Sequence, residues 1–172
     1  TNRNSYKISF LALGFLFVAT LLSACGMNTV SSNPEQKTKD GQGIFISTGG
    51  EFQLTAGEEW QAMTGELHPE AELEIGSLAK DKYLIVIPES KADLAMPLAD
   101  YTNIVVDLTA AKLTNRLITD PAPTTINGRA AYVSKISGMV DGLNVYYWIY
   151  TVDCPDHLVQ IIAWTLKSRK ES

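Results

Sequence analysis

The 172-residue chain holds only two cysteines and two histidines. Two cysteines cannot make the multi-bridge framework on which small secreted domains depend. Two histidines, His68 and His157, 89 positions apart with no clustered cysteine around them, cannot supply the three or four converging ligands of a zinc site. Positive charge is also short, at 14 Lys+Arg against 19 Asp+Glu. Binding to nucleic acid rests on cations that neutralise phosphates, so this balance argues against a nucleic-acid partner. No P-loop, Gly-x-Gly-x-x-Gly or Gly-x-Ser-x-Gly motif occurs. No cofactor and no metal is therefore expected.

What the sequence does have begins at the N-terminus. Arg3 and Lys7 precede an apolar run of 15 residues, Ile8 to Leu22. A bilayer-spanning helix needs about 20 apolar residues, so the run suits a signal h-region better than a permanent anchor. Leu22-Ser23-Ala24-Cys25 follows at once. It resembles the lipobox of bacterial lipoproteins, in which small residues admit the signal peptidase and the cysteine thiol takes a lipid. The expectation is a signal peptide over 1–24, with Leu22, Ser23 and Ala24 as the recognition residues and Cys25 as the lipidation site. The chain would then be extracytoplasmic and held to a membrane by lipid on Cys25. The residue after the cysteine is Gly26 and not Asp, which suits the outer membrane of a diderm cell or the outer face of a monoderm membrane.

Without Arg3 and Lys7 the remainder carries 12 cations against 19 acids, a net charge of −7. An anionic membrane surface would repel it, so attachment falls to the lipid. Gly26 to Gly43 contains one aliphatic residue besides Met27, Val30, and no aromatic. Such a stretch buries too little surface to offset chain entropy, which predicts a flexible tether over 25–43. One domain over 44–172 follows, long enough for a single core. With Cys25 lipidated, Cys154 has no partner within the chain and is expected to be a buried thiol.

Within the domain, Ile44-Phe45-Ile46 and Glu51 to Leu54 flank a Thr48-Gly49-Gly50 turn. Glu58 to Met63, around Trp60, is expected to form one helical turn. Glu72 to Leu78 alternates, and Tyr83 to Ile87 is continuously apolar, the pattern of a strand covered on both faces. Pro97 opens the one convincing helix. Its stripe is Leu98, Tyr101, Val105, Leu108 and Ala111, and it is predicted to end near Arg116 to Thr119, before Pro121. Asn127-Gly128 and Asp141-Gly142 then mark hairpin turns. They separate Thr124–Ile126, Ala130–Ile136 and Leu143–Val152, and Leu158–Thr165 follows Pro155-Asp156. Hairpin-ordered strands with one long helix inserted argue for α+β with an antiparallel sheet.

This order of motifs resembles the PsbP-like family, which includes the DcrB-like envelope lipoproteins. The resemblance runs from about Phe52 to Ser168. It is carried by Phe52 with Trp60; Tyr83-Leu84-Ile85-Val86-Ile87 with Glu89-Ser90; Leu98 and Tyr101; Thr125-Ile126-Asn127-Gly128; Val140-Asp141-Gly142 with Tyr146-Tyr147; and Ala163-Trp164-Thr165-Leu166-Lys167-Ser168. The resemblance implies an α/β/α sandwich around a central antiparallel sheet, and action by binding other proteins. It also implies a last helix after Ser168, where four residues remain in this sequence. One sheet face is therefore expected to be thinly covered.

Three chemistries compete. Ser77-Leu78-Ala79-Lys80 fits the Ser-x-x-Lys spacing that sets an amine one helical turn from a nucleophile, but it falls at a strand end and lacks companion motifs. Glu58, Glu59, Glu66, Glu70, Glu72 and Glu74 could pair for acid–base work or hold a divalent cation; an acidic solvated edge is the plainer reading. The aromatic row Tyr146, Trp148 and Tyr150, with Trp164 on the next strand, is either core under helices or a platform for a partner or glycan. The reading that results is a non-enzymatic, lipid-anchored binding or accessory module of the cell envelope, with a protein partner there. The alternatives are an envelope hydrolase or transferase using Ser77 and Lys80 or the acidic cluster, and a small-ligand receptor.

Overall fold

A computed structural model describes residues 36–37, 42–63 and 65–169. The signal region, Leu22, Ser23, Ala24 and Cys25 lie outside the described residues. Eleven strands are present among those described. A small sheet is built from β1 (Gln36–Lys37), β2 (Gly43–Ile46) and β3 (Gln53–Ala56), in that order. Gln36 pairs with Ile44 and Lys37 with Gly43. The expected tether therefore contributes a strand, and the paired structure starts before the boundary read at Ile44.

The main sheet holds β4 (Gln61–Ala62), β5 (Leu73–Ser77), β6 (Lys82–Ser90), β7 (Thr114–Ile118), β8 (Ala122–Ile126), β9 (Arg129–Val140), β10 (Leu143–Asp153) and β11 (His157–Leu166). Its order is β4-β5-β6-β11-β10-β9-β7, with β8 also paired to β9, and every pairing is antiparallel. The α+β class, the central antiparallel sheet and the long helix between strands are as expected. The helical turn expected over Glu58–Met63 is absent. Glu58 and Glu59 form a turn, and Gln61 and Ala62 then pair with Gly76 and Ile75 along the β5 edge.

The turns follow their sequences. Asn127 and Gly128 have φ of 50° and 76°, and Asp141 and Gly142 of 49° and 80°. Two successive positive φ values match the strand twist, and Asn-Gly and Asp-Gly adopt them at low cost.

A short helix α1 (Lys91–Leu94) leads to α2 (Leu98–Ala111), with Pro97 at the N-cap. The buried side of α2 is Tyr101, Thr102, Val105, Val106 and Ala110. It is rotated from the expected stripe: Leu108 is 37% exposed and Ala111 is exposed. A polar residue can lie inside because its hydroxyl is satisfied. Thr102 Oγ1 donates to the Leu98 carbonyl oxygen at 2.7 Å and shares a 2.6 Å hydrogen bond with Thr151 Oγ1. The helix stops at Ala111 and not near Arg116. Thr114 and Asn115 are weak helix formers, Leu113 is buried, and Thr114 pairs with Met139 at the sheet edge. Gly138 permits this approach, since a Cβ there would sit 2.9 Å from Leu113 Cβ and 3.1 Å from the Thr114 carbonyl oxygen.

Two cores result, one on each face of the main sheet. Under α2, Tyr101, Val105, Val106 and Ala110 pack with Ile136, Val145, Ile149 and Leu158. On the opposite face, Phe45 packs with Leu73, Ile75, Val86, Ala131, Val152 and Val159, with Phe52, Leu54 and Trp60 beside them. Among the described residues, the β2–β3 hairpin covers that face, where the α/β/α sandwich has helices. A short 3-10 turn, Lys167–Arg169, follows β11.

Candidate functional site

Directly paired residues of an antiparallel ladder point to the same face. Asp153 pairs with Leu158, which sets the register of the β10–β11 hairpin and places Tyr147 opposite Trp164 and Trp148 opposite Ala163. Tyr146, Trp148 and Tyr150 therefore share the hairpin-side face, and Trp164 lies on the helix-side face. The four-member aromatic row expected from the sequence is thus divided. Trp164 stacks between Tyr83 (centroids 5.5 Å apart) and Tyr147 (6.2 Å). Burial pushes the Tyr147 phenol above its ordinary range.

Tyr146, Trp148 and Tyr150 are partly exposed and belong to neither core. Tyr146 and Trp148 meet edge to face at 4.4 Å between centroids. The residues paired with them across β9 are Ser137, Lys135 and Val133. Lys135 is exposed, and Leu117, paired with Ser137 from β7, is 72% exposed. On the β11 side the same rows continue through Thr165, Ala163 and Ile161. A half-buried aromatic strip along a central strand is thus bordered by hydroxyls, aliphatic side chains and one exposed cation.

In five strands of the sheet the charges are segregated by face, whereas Arg116 of β7 reaches the Ala110 carbonyl oxygen of α2 on the helix side. In β5, β6, β9, β10 and β11 the acids Glu74, Glu89 and Asp153 lie on the helix side. The cations Lys82, Arg129 and Lys135 lie on the hairpin side. Alternation in the sequence carries this signal, but only once the register of each hairpin is known.

The two catalytic candidates come apart. Ser77 is 0% exposed in β5, and its Oγ has no hydrogen-bond partner. Lys80 lies in the turn beyond β5, and its Nζ sits 3.3 Å from Glu59 Oε1. The Glu59 carboxyl is held below its ordinary range, first by a backbone hydrogen bond and then by Lys80. Ser-x-x-Lys works on a helix, where the two side chains stack one turn apart; a strand followed by a turn sends them elsewhere.

The acidic cluster is also dispersed. Glu74 is 2% exposed and is no part of a solvated edge. Its Oε2 accepts the backbone N–H groups of Glu66 (3.0 Å) and Leu67 (3.3 Å), and its Oε1 accepts that of His68 (2.8 Å). Sequence reading missed this role, since nothing in the pattern distinguishes Glu74 from its exposed neighbours Glu66 and Glu70. Glu72 is half-buried. His68 Nδ1 accepts the Glu70 backbone N–H at 3.2 Å, so this pair meets through main chain and not as metal ligands. Burial lowers the His68 pKa from 6.5. His157 Nδ1 lies 3.6 Å from Glu51 Oε2.

Among the described residues no three His, Cys, Asp or Glu side chains gather as a metal site. Cys154 is a free thiol, half-buried and not fully buried, beside the hairpin-side core. That partial burial raises its pKa. No helix among the described residues is long and apolar enough to cross a membrane.

No family model matches the chain, and no curated protein matches it. Solved structures do resemble it in part. The Pseudomonas aeruginosa protein of unknown function PA94 aligns at 11% identity and a TM-score of 0.45, over 74% of this chain and 85% of the other. The cyanobacterial PsbP (CyanoP) of Synechocystis sp. PCC 6803 aligns at 15% identity and a TM-score of 0.46, over 86% and 88%. The fold class stated above rests on the strand ladder of this chain itself.

Proposed function

We propose that the chain is a lipid-anchored, non-enzymatic binding module of the cell envelope, in the manner of a DcrB-like member of the PsbP-like group. The observation that carries the binding half is the strip of Tyr146, Trp148 and Tyr150. These rings stand partly exposed outside both cores, on the face that α2 does not cover. Large amphipathic rings in such a position are the residues that dominate recognition surfaces. The enzymatic alternative loses its nucleophile, because Ser77 is sealed in the sheet while Lys80 pairs with Glu59 at the surface. It loses one carboxylate too, because Glu74 is fully engaged in holding a loop.

The anchoring half is supported by Leu22-Ser23-Ala24-Cys25 directly after the apolar run. Lipid on Cys25 would place the module outside the cytoplasmic membrane, with its partner an envelope component. Growth with an alkyne fatty acid tests this. The wild-type chain should become labelled and Cys25→Ala should not. Equal labelling of both would refute the anchor.

A further inference from the structure

The face that carries the aromatic strip also carries Lys82, Arg129 and Lys135, in a chain whose acids outnumber its cations 19 to 14. We infer that this face, Tyr146, Trp148 and Tyr150 with Lys135 and Ser137, binds an acidic polysaccharide; the inference rests on the binding-module reading and names its ligand class. Three observations select that class.

The first is charge. Lys135 pairs directly with Trp148, which puts an exposed ammonium beside the central ring of the strip. Lys82 lies one strand beyond Thr165, close enough to Glu59 to help hold that carboxyl ionised. The strip therefore offers one strong cation, with Lys82 shared with Glu59. A nucleic acid carries a phosphate about every 3.4 Å of each strand and needs a track of cations. A sugar polymer is also held through its ring faces and hydroxyls, so a single ion pair beside the strip suffices.

The second is position in the sheet. β10 is hydrogen-bonded on one side to β9 and on the other to β11. Its backbone groups are taken, so a peptide cannot add to it as a further strand, which is how extended peptides gain affinity from main-chain bonds. Recognition there must come from side chains alone.

The third is the mixture of groups. Rings at alternate positions of one strand recur about every 6.8 Å, two residues of strand rise. Tyr146 and Trp148 meet edge to face, so a sugar ring can lay its C–H face flat on one of that pair while the other borders it. The Tyr150 phenol hydroxyl, the Trp148 indole N–H and the Ser137 hydroxyl can meet sugar hydroxyls. Lys135 supplies the ion pair to a carboxylate.

The test uses the full chain in detergent, with polygalacturonate beads as the acidic polysaccharide. Dextran, poly-L-glutamate and oligo(dT) beads serve as neutral, peptide and nucleic-acid arms. The wild type should be retained by polygalacturonate and released by the other three. Trp148→Ala and Lys135→Gln should each weaken retention by about tenfold or more, as loss of a central contact does. Trp164→Phe, on the other face, should leave it unchanged. Lys135 is exposed, so Lys135→Gln keeps the fold, and an unchanged thermal melt verifies this for each variant. No retention on polygalacturonate, tighter retention on poly-L-glutamate or oligo(dT), or retention indifferent to Lys135→Gln would each overturn the inference. Photo-crosslinking from position 148 in native membranes separates the two levels. Crosslinks without polygalacturonate binding leave the module reading standing and remove the ligand class; neither signal removes both.

Discussion

The carboxylate of Glu74 accepts the backbone N–H of His68 at 2.8 Å, from inside the sheet, where Glu74 is 2% exposed. With the bonds from Glu66 and Leu67, it closes the loop that enters β5. Glu74→Ala would leave those donors without their acceptor, at a cost of about 2–4 kcal/mol. Glu74→Gln keeps the volume but turns one oxygen into a donor facing another donor, and should cost less than the alanine. Urea unfolding midpoints at constant slope measure both. A loss below about 0.5 kcal/mol for Glu74→Ala would contradict this role.

His68 should make stability depend on pH. Burial disfavours the charged imidazole, so its folded pKa lies below 6.5. Between the folded and unfolded values the unfolded chain binds more protons, and stability rises with pH there. The contribution is complete above about pH 6.5 and is lost as pH falls through the folded value. His68→Gln should flatten the difference in urea midpoint between pH 7.5 and the acid side of that window. An unchanged slope would contradict the assignment.

Helix α2 is pinned to the sheet at its first turn. The Tyr101 hydroxyl donates to Glu89 Oε2, and Gln160 Nε2 donates to the same oxygen at 2.8 Å. Burial, first, and then the adjacent carboxylate push the Tyr101 phenol far above its ordinary range. Tyr101→Phe should cost about 1–2 kcal/mol, and Glu89→Ala more, since it orphans two donors. The double variant should cost less than the sum, with a coupling of about 0.5–3 kcal/mol in a double-mutant cycle. Simple additivity would show that the contact contributes nothing.

The parts of the fold governed by local chemistry could be read from the chain. Alternation gave β10, two dipeptides with positive φ gave its hairpin turn and the preceding one, and Pro97 gave the helix start. The parts governed by tertiary pairing could not. Thr114–Ile118 has no strong helical or strand pattern, and becomes a strand because the β9 edge is there to pair with. The sequence places Trp164 on the strand next to Trp148 but leaves its face open until the register is known; the Asp153–Leu158 pairing puts the two rings on opposite sides. Glu74 looks like any other acid until the loop folds over it.

The proposed function requires the hairpin-side face of the sheet, and not the helix-side face, to meet the partner. Benzoylphenylalanine placed at 148 and at 164 in the full chain, and photoactivated in native membranes, tests this most directly. Position 148 should crosslink to envelope material and shift the chain to higher mass, and position 164 should not. Crosslinks from 164 alone, or equally from both positions, would contradict the assignment of the strip Tyr146, Trp148 and Tyr150 as the binding face.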